Sequence, residues 1–223
     1  MQSISLGVAT PAARVGVDAK RTRALLACGA AAGPFFVLVG LAQAFTVPGF
    51  DLTRHYLSQL SAGELGWIQI ANFVISGLLT IAGAVGVKRA LGGGRLGRLG
   101  PSLLALYGLG LVAAGVFVAD PAGGFPPGAP AGRPEHFSWH SMLHGVAAIV
   151  AFTCLFAAGL ALAYRFARER RAGWAAYTAI TAVVSFVLPW IPNPWGGVVL
   201  FVASAIAWVW YTALTMHLAR EAE

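Results

Sequence analysis

Six long stretches of the sequence contain no Asp, Glu, Lys or Arg. A helix needs about 20 predominantly apolar residues to cross the hydrocarbon core of a bilayer. Backbone groups in lipid must be hydrogen-bonded within their own segment, so such stretches form helices rather than strands. The sequence therefore predicts an all-α membrane protein, a bundle of six transmembrane helices. The predicted spans are Ala24–Phe45, Trp67–Val87, Pro101–Ala119, Trp139–Tyr164, Trp174–Ile191 and Gly197–Met216.

The composition excludes a water-soluble domain. Charged residues make up 10% of the chain and hydrophobic residues 58%, whereas soluble proteins carry about 25% charged residues. We expect one transmembrane domain over residues 24–217, between a disordered cytoplasmic tail of residues 1–23 and a short cytoplasmic tail of residues 218–223. A signal peptide ending at Ala42-Gln43-Ala44 is the alternative for the first span, although its apolar run is longer than usual.

The basic residues set the expected orientation. All Lys and Arg residues except Arg54 and Arg133 lie on one side of the predicted membrane. By the positive-inside rule this side is cytoplasmic, so we expect a multi-pass protein of the plasma membrane with both termini in the cytoplasm. The net charge of +7 therefore reflects topology. Because no basic patch is interleaved with aromatic residues, nucleic acid is not an expected partner.

The first outer loop carries a cluster of polar residues. Leu52, Tyr56 and Leu60 recur at every fourth position, which is typical of a short interfacial helix with one apolar face. We expect this helix to lie across the mouth of the bundle. The polar residues on its other face are Asp51, Arg54, His55 and Ser58.

These four residues allow several roles. Asp51, His55 and Ser58 suggest a hydrolase triad, but a single helix cannot easily aim all three in series, and no nucleophile elbow surrounds Ser58. Asp51 equally suits the N-cap of the short helix. We assign candidate acid/base roles to Asp51 and His55 and candidate substrate contacts to Arg54 and Ser58. The Arg54 guanidinium would hold an anionic head group.

The second outer loop leads into the fourth span through an HxxxHxxxH pattern, His136, His140 and His144. On a helix this spacing places the rings on one stripe, and histidines four residues apart can bind zinc, although no HExxH glutamate is present. His144 would lie about 9 Å below Ser138 along the helix. An ionisable residue at that depth is costly and is by default a functional hypothesis. The alternative is a neutral imidazole that is hydrogen-bonded to a neighbouring helix.

Candidate functional residues follow from this pattern. His55, His140 and His144 are the candidate ligands of a metal ion, zinc or iron. Asp120 and His144 join Asp51 and His55 as candidate catalytic groups, although Asp120 also suits capping or a turn at the end of the third span. In the second span, polar residues recur at helical spacing, and they either line a cavity, with Asn72 as a substrate contact, or form interhelical hydrogen bonds. These residues are Gln69, Asn72, Ser76 and Thr80.

Short motifs along the chain resemble a family of bacterial six-helix membrane proteins, catalogued as domain of unknown function 998. The similarity extends from about Ala24 to Met216 and implies six helices, without implying an activity. The motifs are Gly33-Pro34, Pro48-Gly49-Phe50-Asp51, His55 with Ser58 and Leu60, Gly66-Trp67 followed by Asn72 and Phe73, Phe117 with Asp120-Pro121, and His144.

A looser similarity is to membrane zinc hydrolases of the alkaline ceramidase and adiponectin-receptor type. Those proteins also place histidines, an aspartate and a serine at helix ends. They have seven helices and a histidine pair on the last one, whereas the last span here carries only His217, at the opposite face. This departure disfavours zinc.

Three classes of function remain open. The leading hypothesis is a membrane-embedded enzyme or binding protein whose partner is a membrane lipid or an isoprenoid-like small molecule in the outer leaflet. Its chemistry would be metal-dependent hydrolysis or an acid-initiated rearrangement. The alternatives are an assembly partner of another membrane protein and a small-molecule transporter. The absence of charged residues near the membrane midplane disfavours the transporter.

Overall fold

The computed structural model describes the backbone of residues 11–222 and the side chains of residues 18–222. Within this range the chain is all-helical, and six helical segments are long and apolar enough to cross a membrane. This confirms the predicted fold class. The α-helices are α1 (Pro11–Thr46), α2 (Gly66–Leu91), α3 (Arg95–Val116), α4 (Trp139–Arg168), α5 (Ala172–Val187) and α6 (Gly196–Glu221).

Two short 3-10 helices complete the secondary structure of the described residues. One extends α5 over Leu188–Trp190. The other, Leu57–Ala62, lies in the loop between α1 and α2. It is the short helix predicted there, but it begins later than the spacing of Leu52 and Tyr56 suggested, because the chain first makes a turn at Asp51.

The first helix extends beyond its predicted span. It begins at Pro11, so residues 11–23, predicted as part of a disordered tail, continue α1. Residues 1–10 lie outside the described residues, as does residue 223. The domain boundaries at residues 24 and 217 stay a prediction.

The helices form a ring. Each packs against its neighbours along the chain, and α6 returns to pack against α1. We call the end of the ring that carries the two long connections, residues 47–65 and 117–138, the loop end. The opposite end, where α1 begins and α6 finishes, is the terminal end. Each connection begins and ends at the same end of the ring, so consecutive helices are antiparallel.

Glycines allow the helices to approach closely on one side of the ring. A Cβ atom added to Gly83 of α2 would lie 2.5 Å from the Cα of Gly29 in α1. A Cβ atom added to Gly77 would lie 2.6 Å from the carbonyl oxygen of Gly108 in α3. Only glycine permits backbones to pack at these distances, and such contacts are a main source of helix association in lipid.

The polar stripe of α2 faces the inside of the ring, and its four residues are all fully buried. The Gln69 Oε1 atom accepts hydrogen bonds from Gln43 Nε2 (2.9 Å) and Asn72 Nδ2 (3.2 Å). Asn72 Nδ2 also donates to the Phe36 carbonyl oxygen of α1 at 3.1 Å. The stripe therefore forms interhelical hydrogen bonds, one of the two roles that its spacing allowed.

The second long connection folds over the loop end of the ring. Phe125 is 1% exposed and packs edge-on against Phe50 of the first connection, with ring centres 5.3 Å apart. The Gln59 side chain donates to the Ala122 carbonyl oxygen at 2.9 Å. The two connections thus form one cover over the loop end.

Candidate functional site

A cavity of about 110 Å³ lies inside the ring, toward the loop end. Five helices, all except α5, contribute to its wall, and the 3-10 helix of the first connection closes it at the loop end. The cavity is only partly enclosed by protein, and apolar cavities of about this size hold small apolar molecules. Most of the wall is aromatic or aliphatic, including Phe36, Leu57, Phe73, Leu111, Phe152 and Trp208.

The polar part of the wall is small and carries no fixed charge. None of the residues that line the cavity is Asp, Glu, Lys or Arg. A predominantly apolar pocket with a few convergent polar groups is the usual form of a small-molecule site. The polar side chains in the wall are Tyr56, Ser58, Tyr107, His144 and Ser204.

His144 is the titratable imidazole in this wall, and α3 fixes its orientation. Its Nδ1 atom lies 3.0 Å from the Ala114 carbonyl oxygen and 2.8 Å from that of Phe117. These carbonyls belong to the end of α3, where the last turn of a helix leaves oxygens without an intrahelical donor. The ring also packs edge-on against Phe73, with centres 6.2 Å apart. His144 therefore joins α4 to α3 and faces the cavity.

The start of α4 explains why His144 lies at this point. Ser138 is the N-cap of α4, and its Oγ accepts a hydrogen bond from the Ser141 backbone N–H at 3.1 Å. The Ser141 hydroxyl oxygen accepts in turn from the Asp120 backbone N–H at 3.2 Å. Ser138, Ser141 and His144 follow one another at intervals of three, so they share one face of α4, which is the face toward α3.

The Asp120 carboxylate completes this junction. One oxygen accepts from the Ser138 backbone N–H at 2.7 Å, and the other accepts from the Ser138 hydroxyl at 2.6 Å. A carboxylate at a helix N-terminus also interacts favourably with the helix dipole. Asp120 does not line the cavity. Its carboxylate holds the start of α4, whereas the sequence placed its capping role at the end of the third span.

His55 lies between the two connections instead of in the cavity. It is 2% exposed. Its Nδ1 accepts from the Asp51 backbone N–H at 3.0 Å, and its Nε2 donates to the Gly123 carbonyl oxygen at 2.9 Å. Both ring nitrogens are thus engaged in holding the loops together. The turn at Asp51 directs the His55 ring toward the second connection. In the predicted interfacial helix, His55 would instead have lain on the polar face of that helix.

Asp51 caps that turn. Its Oδ1 accepts from the Thr53 hydroxyl at 2.7 Å and from the Thr53 backbone N–H at 2.9 Å. These hydrogen bonds, that of the hydroxyl most of all, lower the pKa of the Asp51 carboxyl below its ordinary value. The His55 Nε2 atom bonds to Gly123 rather than to Ser58. The structure therefore does not align Asp51, His55 and Ser58 as a triad.

Of the three predicted substrate contacts, one reaches the cavity. Ser58 lines it from the 3-10 helix. Arg54 is exposed, and its Nη2 lies 3.4 Å from the Gly123 carbonyl oxygen. Asn72 is fully buried in the hydrogen-bonded stripe between α1 and α2.

The three predicted metal ligands do not meet. His140 is exposed and packs against its neighbour Trp139, with ring centres 3.6 Å apart and the rings tilted by 35°. His55 is enclosed between the loops, and His144 faces the cavity. Among the side chains of residues 18–222, no group of three His, Cys, Asp or Glu has the arrangement of a metal site. His136 precedes the first residue of α4, so the HxxxHxxxH stripe is incomplete.

Sequence reasoning missed the aromatic wall of the cavity. Phe36, Tyr107 and Trp208 lie on three different helices, and nothing in their local spacing marks them. The junction of α3 with α4, in contrast, has a recognisable pattern in the sequence. Ser138, Ser141 and His144 recur every three residues directly after Asp120 and its loop.

The fold and the cavity define a class of protein: a six-helix integral membrane protein with a partly enclosed cavity, whose wall contains no Asp, Glu, Lys or Arg, toward one end of the bundle. The chain belongs to the family described as protein of unknown function (DUF998), whose model matches residues 30–217. This confirms the resemblance that the short motifs indicated. No curated protein and no solved structure matches the chain.

Proposed function

We propose that this protein binds a lipid-like molecule within the membrane, in the cavity that His144 faces. The observation that carries the proposal is the wall of this cavity, which is apolar apart from a few neutral polar groups. A hydrocarbon chain inside the bundle exchanges one apolar environment for another, so shape and a small number of polar contacts decide what binds. By the positive-inside rule the loop end faces outward, so the ligand belongs to the outer leaflet.

The geometry supports binding more strongly than acid/base catalysis. Asp120 holds Ser138, the N-cap of α4; Asp51 caps a turn; and His55 joins two loops. Each is engaged by hydrogen bonds that hold the structure, and none lines the cavity. His144 is the single predicted catalytic residue that faces the cavity, and an isolated imidazole suits recognition of a polar group. Neither an assembly role nor transport has a comparable feature among the described residues.

The experiment compares two substitutions in α4. Ala148 lines the cavity, so Ala148→Phe would place a ring inside it. Val150 is 49% exposed on the lipid-facing side, so Val150→Phe adds a ring of the same kind outside the bundle. Each protein is purified in mild detergent, and bound lipid is quantified by native mass spectrometry. Thermal unfolding is recorded to establish that both variants are folded.

We expect a specific lipid-like molecule to remain bound to the natural protein and to Val150→Phe. Ala148→Phe should lose at least about 90% of this bound lipid, because the new ring fills the cavity and leaves no room for the chain. This loss corresponds to a tenfold weaker affinity, about 1.4 kcal/mol. Equal lipid content in all three proteins would overturn the proposal. So would a natural protein that retains only the detergent and lipids common to any membrane protein.

A further inference from the structure

The cavity also specifies the chemistry of its ligand. We infer that the ligand is an uncharged alcohol with a single long apolar chain, whose hydroxyl group donates a hydrogen bond to the Nε2 atom of His144. This inference rests on the proposed binding function and assigns it a substrate class. Three observations carry it: the hydrogen-bond partners of the imidazole, the absence of Asp, Glu, Lys and Arg from the wall, and the extent of the cavity along α4.

The hydrogen bonds of His144 determine which ring nitrogen carries the proton. Nδ1 lies within hydrogen-bond distance of two backbone carbonyl oxygens, those of Ala114 and Phe117. A carbonyl oxygen can only accept, so Nδ1 must be the donor, and in the neutral ring Nε2 is then an acceptor. Nε2 makes no hydrogen bond to any side chain or backbone group of the described residues and is not fully enclosed. The Nε2 atom is therefore free to accept a hydrogen bond from a donor group of the ligand.

The wall of the cavity disfavours an ionised head group. Its polar side chains are hydroxyl groups and one imidazole, and no cationic residue accompanies them. Burying an unpaired phosphate or carboxylate costs far more free energy than burying a neutral hydroxyl. Arg54, the predicted anchor for an anionic group, is exposed and does not line the cavity. A hydroxyl group satisfies the imidazole without introducing a charge.

The cavity extends along the helices below His144. On α4 its lining runs from His144 to Phe152, a rise of about 12 Å at 1.5 Å per residue. Phe152 also lines a second, smaller cavity of about 20 Å³ between α4, α5 and α6. Phe152 therefore lies at the boundary between the two spaces. A volume of about 110 Å³ over this length accommodates part of a single chain and has no room for the paired chains of a phospholipid.

Three probes with the same chain test the hydroxyl group directly. Farnesol has the donor, farnesyl methyl ether keeps the oxygen but has no donor, and farnesyl phosphate carries charge. Dodecan-1-ol, tested beside farnesol, distinguishes a straight chain from an isoprenoid one. Binding to the natural protein is measured by native mass spectrometry at equal probe concentrations. We expect an alcohol to bind roughly fivefold to tenfold more tightly than the ether, the usual effect of one hydrogen bond.

The variant His144→Asn tests the role of the imidazole. An asparagine amide places a donor near the position of Nδ1, so it can retain the bonds to α3 while removing the acceptor that faces the cavity. His140→Asn, at an exposed position one turn earlier, is the matched control. In His144→Asn the preference for farnesol over its ether should fall to less than twofold, while binding of the ether is unchanged. His140→Asn should keep the full preference.

The outcomes separate this inference from the proposed function. If the ether or the phosphate binds the natural protein as tightly as the alcohol, the cavity binds a chain but the hydroxyl assignment is wrong. The assignment is also wrong if His144→Asn keeps the preference for farnesol. If no probe binds and Ala148→Phe leaves the lipid content unchanged, the proposed function fails as well.

Discussion

At the scale of single residues, the hydrogen bonds of histidine decide what each ring can do. His55 uses both nitrogens to join the two connections at the loop end. His144 uses one nitrogen on the end of α3 and leaves the other free. The sequence predicts that His144 lies below the membrane surface, because its distance from Ser138 follows from helix geometry. It cannot predict the tautomer, which depends on carbonyl oxygens 27 and 30 residues away in the chain.

Asp120 provides a test of the junction between α3 and α4. Its carboxylate accepts two hydrogen bonds from Ser138, the N-cap of α4. We expect Asp120→Ala to lower the free energy of unfolding by about 1 to 2 kcal/mol, the usual effect of losing a helix cap. The measurement is reversible denaturation in detergent micelles. Glu135→Ala, at an exposed acid of the same connection, is the control and should change stability by less than about 0.5 kcal/mol. Equal stability of the two variants would exclude the capping role.

At the scale of helices, side-chain volume decides how closely neighbours approach. Apolar length is enough to predict the six spans, because the bilayer sets the length of any helix that crosses it. The first connection is harder. Leu52, Tyr56 and Leu60 have helical spacing, yet the Asp51–Thr53 hydrogen bonds favour a turn, and only residues 57–62 form a helix. Side-chain hydrogen bonds to the local backbone compete with helix formation, and the spacing of apolar residues does not reveal which of the two prevails.

The contact between α2 and α3 tests the role of glycine in packing. Gly77 has no room for a side chain, since a Cβ atom would lie 2.6 Å from the Gly108 carbonyl oxygen. We expect Gly77→Ala to destabilise the protein by about 1 to 3 kcal/mol, the usual cost of overpacking. Gly145→Ala in α4 is the matched control, because a Cβ atom there meets nothing within 4 Å. Thermal unfolding measures both variants, and a Gly77→Ala protein as stable as the control would contradict this packing.

At the scale of the whole molecule, the ring of helices creates the cavity. Residues far apart in the sequence, such as Phe36 on α1 and Trp208 on α6, lie together in its wall. Hydropathy predicts how many helices cross the membrane, but not which faces meet, because lipid and protein interior are equally apolar. This is why the sequence indicates candidate residues at the loop end without indicating the cavity. It is also why only Ser58 and His144 of the predicted site residues line it.

The orientation of the ring is a prediction that labelling can test. In a background with Cys28 and Cys154 replaced by alanine, Gly132→Cys lies in the second connection and Gly93→Cys between α2 and α3. Neither new side chain meets a neighbour within 4 Å. The positive-inside rule predicts that a membrane-impermeant maleimide labels intact cells at Gly132→Cys and spares Gly93→Cys until the cells are opened. The reverse pattern would place the loop end in the cytoplasm.

The most direct test of the proposed function is an electron cryo-microscopy map of the protein in lipid nanodiscs, with a bound Fab fragment to add mass. We predict a single elongated density inside the helix ring, beginning beside His144 and ending at Phe152. The same map of Ala148→Phe should lack this density while the helices keep their positions. A cavity that is empty or filled by rearranged side chains in the natural protein, with lipid density only on the outer surface of the ring, would contradict the proposal.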